Sequence, residues 1–349
     1  MIRTIASALV ALALTLPLAA QEAPAALAPG EIVAAAAPQD WVRIAPEDLL
    51  VMKLAPAADG NARQVVIQLM PPPFSQGWIA NIRTLARAGW YDGISINRVQ
   101  DNYVVQWGDP NYDNPEADGP AKPLPEGLRA IGARDYTTST LPMTGKFEDL
   151  LPRFLERFPA FAEKFPEIRH LSRAELGSSI RGSLNPDPYA EANLLVEGWP
   201  FGYDLKGGKA WPVHCYGMVG VGRGMSPDTG SGAELYTVIG HAPRHLDRNI
   251  ALVGRVIEGI EHLSSLPRGT GALGFYEDRA QRVPIGSIRV ASDLPAAEQP
   301  RFEYLSTESE SFARYAEARA NRRDPFFIVP AGGADICNIP VPVRSVVTE

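Results

Sequence analysis

Several groups of residues have the types and spacing that chemistry requires. Asp228-Thr229-Gly230-Ser231 has the form of a carboxylate loop that works in pairs, two such loops letting two acids share one proton. No second D-[TS]-G occurs, and the preceding Gly224-Met225-Ser226-Pro227 is not an apolar strand, so the segment reads as a hairpin turn. Gly220-x-Gly222-x-Gly224 follows a strand-like run but leads into no helix, which removes the geometry that cradles a phosphate. His241, His245 and Asp247 have a metal-like spacing, yet Pro243 breaks the helix that would present both imidazoles, and a solvated loop is the simpler reading. Cys215 and Cys337 have no CxxC spacing, which argues against zinc or thiol redox chemistry. An oxidising compartment lets them pair if the fold brings them together; otherwise they are two buried thiols. Arg98, taken alone, reads as a partner in a surface ion pair.

The elements that position these residues follow from periodicity. Residues 49–54 and 64–69 read as strands joined through the turn signal Asp59-Gly60-Asn61. Trp78, Ile79, Ile82, Leu85 and Ala86 recur at helical spacing, and Gly89 sits where a C-cap belongs. Residues 94–99 and 103–107 are rich in β-branched and aromatic side chains and are split by Gln100-Asp101-Asn102, which makes them two further strands with Arg98 on the first. Beyond Asp109 the pattern changes. Residues 111–146 are dominated by Pro, Gly, Asn and Asp; Phe147, Leu150, Leu151, Phe154, Leu155 and Phe158 then form a helical stripe that Pro159 ends. A short helix to Phe165, a capping box from Ser172 to Glu175, and a helix over 189–196 opened by Asp187-Pro188 are expected next. Strand character returns at 213–221, 234–239, 250–256 and 285–291, and a last helix is expected over about 307–322. A β-fold interrupted by a helical insertion fits this order, because a long loop on a rigid scaffold accepts added chain at low entropic cost.

Composition narrows the function classes. The 349 residues are 45% hydrophobic and 21% charged, enough for a sizeable core, and the net charge of −7 with no basic run offers no footprint for nucleic acid. Arg3, the apolar run from Ala6 to Leu18 and the small residues Ala19-Ala20 make residues 1–20 a signal peptide, too short for the roughly 20 apolar residues of a membrane span. The mature chain is therefore expected outside the cytoplasm, in the periplasm.

The stretch WYDGISINRVQDNYVVQWGDP, Trp90 to Pro110, resembles the central signature of the cyclophilins, in which a YDG turn leads to an RV strand and a Q-x-GDP ending. QVVIQL before it, and HCYGMVGVGR, HLDRNIALVGRVIEG and VPIGSIRVASDLP after it, agree with that family in wording, order and spacing. The resemblance spans roughly residues 41–109 and 205–294. It implies a mainly β fold: a closed eight-stranded antiparallel barrel with two helices, carrying here a helical insertion and a C-terminal extension. It also implies a peptidyl-prolyl cis-trans isomerase, active on proline-containing segments without cofactor or metal. Arg98 matches the family's catalytic arginine, Gln106 its groove glutamine, and Tyr103 and Val104 two walls of its proline pocket. On the far wall the family's Ser-Gln-Phe-aromatic run becomes Glu234-Leu235-Tyr236-Thr237, which gives Leu235 and Thr237 as lining residues; His245 and Ile250 stand where an indole and an imidazole are usual.

The organisation that follows is a signal peptide at 1–20, a flexible leader at 21–40, a cyclophilin-like domain at 41–292 with the insertion at about 111–200, and an extension with one helix at 293–349. An exported prolyl isomerase is the first reading. A barrel that binds proline-containing or unfolded segments without turning them over is the second.

Overall fold

The structure, a computed structural model, describes residues 26–112, 117–139, 187–204 and 207–346. The signal peptide, the Phe147–Phe158 stripe and the capping box at Ser172 lie outside the described residues.

Eight strands close an antiparallel barrel. In chain order they are β2 (Leu49–Leu54), β3 (Arg63–Leu69), β4 (Ser95–Val99), β5 (Val104–Gly108), β9 (Met218–Val221), β10 (Leu235–Val238), β11 (Leu252–Glu258) and β12 (Val283–Val290), and they neighbour one another in the order β10-β5-β4-β12-β2-β3-β11-β9. The expected hairpin forms with Leu49 opposite Gln68 and Leu54 opposite Arg63. Closure leaves no edge strand, so the ladder is satisfied all round. Inward positions alternate along each strand, and Met52, Ile67, Ile96, Trp107, Leu235 and Ile288 belong to one buried core. Each such side chain contributes about 1.5–3 kcal/mol by leaving water.

Helix α2 (Gln76–Arg87) buries the stripe Trp78, Ile79, Ile82, Leu85 and Ala86, and Gly89 beyond its end takes φ +64°. The Trp78 indole donates to the carbonyls of Thr229 and Gly230 at 3.1 and 3.0 Å, so the D-T-G-S segment is a turn that receives a helix. A single-turn helix, α3 (Glu261–Ser264), follows β11 and buries Leu263. The two helices expected of the barrel are these; among the described residues two more lie outside it.

Helix α1 (Pro29–Ala34) packs against α4 (Glu310–Ala320), and Ile32 joins Trp41, Leu305, Phe312 and Tyr315 in a satellite core. That part of the expected flexible leader is therefore folded: Ile32 is an apolar anchor whose burial the Ala-Pro composition conceals. The C-terminal helix is shorter than expected because the Ser309 hydroxyl caps it, accepting from the Phe312 amide at 3.0 Å. A three-stranded sheet, β1 (Trp41–Arg43), β13 (Phe302–Leu305) and β14 (Val343–Ser345), lays Phe302 against Leu49, Val51 and Val66 on the outside of β2 and β3. Cys215 and Cys337 form a disulfide, with Cα atoms 5.1 Å apart, that ties the extension to the barrel.

The second external sheet corrects an expectation. Residues 189–196 are not helical: β6 (Ala192–Val196) turns through Glu197-Gly198 into β7 (Trp199–Asp204), which pairs with β8 (Lys209–Pro212). Glu197 and Gly198 both have positive φ, +48° and +82°, the signature of the two-residue turn that matches strand twist. Asp187-Pro188 opens a turn, and the aromatic alternation Trp199, Phe201, Tyr203 is what decides for strand. No helix of the described residues is long and apolar enough to cross a membrane.

Candidate active site

Arg98 lies on β4, whose register against β5 shifts between Ile96 and Arg98. Such a bulge re-aims a side chain: Ile96 and Val99 remain in the core while Arg98, only half-buried, faces outward opposite Gln106. Its Nε donates to the Leu273 carbonyl at 2.7 Å, Nη1 donates to Gln106 Oε1 at 3.0 Å, and Nη2 donates to Gln100 Oε1. The guanidinium lies 5.6 Å from the Phe275 ring centroid and 5.8 Å from that of Tyr103. Burial pulls its pKa below the usual arginine value, with Tyr103 acting the other way, and it remains a cation. Three of its five N–H bonds are thus engaged by described residues, which orients the fork and leaves two for a ligand.

Beside it is an apolar patch on the outer face of the barrel. Val104, Tyr236 and Val238 are buried together, and Tyr103 and Ile250 pack on them. The strand register explains the set: Tyr236 stands opposite Gln106 and Val238 opposite Val104, so alternate residues of β5 and β10 share one face. Tyr103, Val104, Gln106 and Ile250 are therefore brought together with Arg98, as expected. Three other expected lining residues are not. Leu235 belongs to the barrel core, and Thr237, fully buried, donates to the Met218 carbonyl at 3.3 Å on that same inward face. A shift of one residue in matching β10 exchanges its two faces, and Tyr236 is the residue that joins the outer apolar patch. His245 is exposed on a short 3-10 turn whose other side chains, Arg244 and Leu246, turn back toward the fold, and it takes no part in the apolar patch.

Behind the patch is a polar chain that sequence reasoning missed. The Tyr236 hydroxyl and His214 Nε2 are 3.0 Å apart, and His214 Nδ1 is 2.8 Å from Asp247 Oδ1. Arg244 Nε donates to Asp247 Oδ2 at 2.7 Å and its Nη2 donates to Asp187 Oδ2 at 2.8 Å. Burial holds His214 below its ordinary pKa, Asp247 offsetting only part, so the imidazole is neutral. A neutral ring that donates from Nδ1 to a carboxylate accepts at Nε2, so Tyr236 is the donor of its pair. Burial alone would lower the Arg244 pKa, but Asp247 and Asp187 outweigh it and hold it above the usual value. The residues are scattered over positions 187 to 247, and no local spacing announces them.

Glu234, immediately before β10, is a second omission. Its carboxyl is buried between β5 and β9, and burial pushes its pKa up to about 8, although Gln106 and the Asp109 amide offset part of that. Gln106 thus links the Arg98 cation to a protonated acid. The alternation Glu234, Tyr236, Val238 against Val104, Gln106, Gly108 was the available signal.

The closed barrel defines a class. The chain matches the family model "Cyclophilin type peptidyl-prolyl cis-trans isomerase/CLD" over residues 77–290, well over half of its length. It belongs to the cyclophilin-type peptidyl-prolyl cis-trans isomerase family. Among solved structures it is similar to the cyclophilin AquaCyp293 from Hirschia baltica, with 19% identity and a TM-score of 0.56 over 88% of this chain and 94% of that one, a likeness of fold. A cyclophilin type peptidyl-prolyl cis-trans isomerase of Cryptosporidium parvum matches at 11% identity and a TM-score of 0.35, over 70% of this chain and 96% of that one. No curated protein sequence matches the chain.

Proposed function

We propose that this chain catalyses cis/trans isomerisation of X-Pro bonds in exported proteins, with Arg98 stabilising the twisted amide. The X-Pro bond rotates slowly because resonance holds it planar, with a barrier of about 18–20 kcal/mol. No covalent step is needed. Catalysis requires only that the twisted amide, whose nitrogen has regained a lone pair, be bound better than either planar form. The observation that carries the reading is the juxtaposition on one face of an oriented guanidinium and an apolar patch: Arg98 beside Tyr103, Val104, Tyr236, Val238 and Ile250. The patch accepts the pyrrolidine ring, the two remaining Arg98 N–H bonds reach the proline nitrogen, and Gln106 holds the guanidinium in place. The family supports the reaction, and the signal-like residues 1–20 support export.

Protein lacking residues 1–20 should accelerate isomerisation of a proline tetrapeptide over its uncatalysed exchange. Arg98→Ala should lower kcat/KM by roughly 100-fold or more, the size of effect that follows loss of a transition-state donor. Arg98→Lys should recover little, since an ammonium lacks the fork held by Gln106, Gln100 and the Leu273 carbonyl. Full activity in Arg98→Ala would remove Arg98 from the mechanism, and wild-type protein that binds the peptide without accelerating it would establish the non-catalytic binding barrel instead.

A further inference from the structure

The buried polar chain runs from the groove to the sheet inserted beside the barrel, and each link is specified. Tyr236 lies against β9 at Gly220, where any side chain would overlap its ring and hydroxyl. Its phenol crosses that glycine to reach His214, whose ring lies nearly parallel to it, at an interplanar angle of 10°. The backbone amide of His214 also donates to Asp247 Oδ1 at 3.0 Å, so one carboxylate fixes both the main chain and the tautomer. Arg244 carries the chain on with two charge-assisted bonds to different carboxylates, Asp247 and Asp187, while its guanidinium lies 5.2 Å from the Tyr189 ring centroid.

Asp187, in the turn before β6, is itself tied to the inserted sheet. Its Oδ1 accepts from the Tyr189 amide at 2.8 Å, and its Oδ2 accepts from the Asn193 side chain on β6. The sheet also meets the barrel in the core, where Phe201 stacks on Phe74, through Arg248, whose guanidinium lies 4.5 Å from the Trp211 ring centroid, and through Arg255 on β11, which donates to the Gly198 carbonyl at 2.7 Å and to Gln68 Oε1 at 2.9 Å and stacks over Trp199. None of these contacts has a hydrogen-bonded route to Tyr236. The Asp187 contact does, and satisfying the Tyr236 hydroxyl alone would need only His214.

We infer that Asp187–Arg244–Asp247–His214–Tyr236 is a latch through which the β6–β7–β8 sheet sets the position of the groove's aromatic wall, making Asp187 and Arg244 positioning residues for X-Pro peptide binding. The inference rests on the reading of that face as the peptide groove. Neither residue touches the patch itself: Asp187 acts on Arg244, Arg244 on Asp247, and only Tyr236 contacts Val104, Val238 and Ile250. Loosening the far end frees the near end to tilt, because a buried network is satisfied as a whole.

The test is a double-mutant cycle on the protein lacking residues 1–20, comparing Asp187→Asn, Tyr236→Phe and the double variant in isomerisation kinetics and in NMR titration with a proline tetrapeptide, well below the unfolding midpoint. Asp187→Asn should weaken peptide binding and raise KM about three- to tenfold with kcat less affected, and should have no further effect once Tyr236→Phe has cut the chain, a non-additivity of the size seen within one network. Wild-type kinetics and affinity in Asp187→Asn, even with a lowered melting temperature, would overturn the latch, as would effects that simply multiply in the double variant. Should Asp187→Asn not fold, Arg244→Lys, which keeps the charge but loses the two-ended reach, takes its place under the same criteria. Wild-type protein that neither binds nor turns over the peptide would sink the groove reading instead, an outcome separate from failure of the latch.

Discussion

At the scale of single residues the site is a row of side chains on adjacent strands whose polar atoms are committed to partners within the fold. Arg98 spends three N–H bonds on Leu273, Gln106 and Gln100; Tyr236 spends its hydroxyl on His214. Glu234 is the exception, a carboxyl buried beside Gln106 with Oε1 lacking a partner among the described residues. An acid whose folded pKa is raised from 4.5 to about 8 binds a proton in the folded state that the unfolded chain has released. Stability therefore falls as pH rises between those values, by up to about 1.4 kcal/mol per pH unit from this group alone. Glu234→Gln should flatten that slope: urea unfolding at pH 5 and pH 8 should show wild type and variant alike at the lower pH and the variant more stable at the higher. Equal slopes in both proteins would show that the Glu234 carboxyl is solvated.

At the scale of elements, the groove depends on what β9 lacks. Gly220 leaves room for the Tyr236 ring between β9 and β10, where Tyr236 and Gly220 are register partners. Gly220→Ala should push that ring into the groove, costing about 1–3 kcal/mol of stability as overpacking does and weakening peptide binding more than Leu235→Met on the opposite face of β10, a volume-conserving change in the core. Comparison of melting temperatures and peptide affinities of the two variants checks this, and equal affinities would place Tyr236 outside the groove.

The same strand shows how far the sequence could be read. Barrel strands were legible because their alternation is strong and the Trp90–Pro110 stretch pins Arg98, Tyr103, Val104 and Gln106 as a block. The facing of β10, though not the strand itself, was hidden, because Leu, Tyr, Thr and Val all suit either face and only pairing with β5 decides between them. β6 was misread for a related reason: its turn residues Glu197-Gly198 are a weaker signal than Asp187-Pro188. His214, Arg244, Asp247 and Asp187 are ordinary residues one by one, and their meaning lies in contacts the fold creates.

At the scale of the whole molecule, the barrel is flanked by two sheets and a pair of helices that the family signature does not anticipate. The β1–β13–β14 sheet and the α1–α4 pair use residues from both sides of the barrel segment, Trp41 with Leu305 and Ile32 with Phe312, so leader and extension fold as one unit against it. The extension also carries a loop with Phe326, Ile328 and Val329 largely exposed, at 85%, 96% and 76%. Cys337 lies beyond that loop and Cys215 far before it. A peptide bond cut anywhere between the two cysteines therefore opens the chain without parting it. Brief treatment with a protease that cleaves after aromatic residues should nick the protein at Phe326 or Phe327, giving two bands on a gel run with reductant and one band near full mass without it. Two bands in both lanes would mean that the cysteines are not joined. In a compartment where proteases circulate, a clipped molecule of this kind keeps both of its pieces.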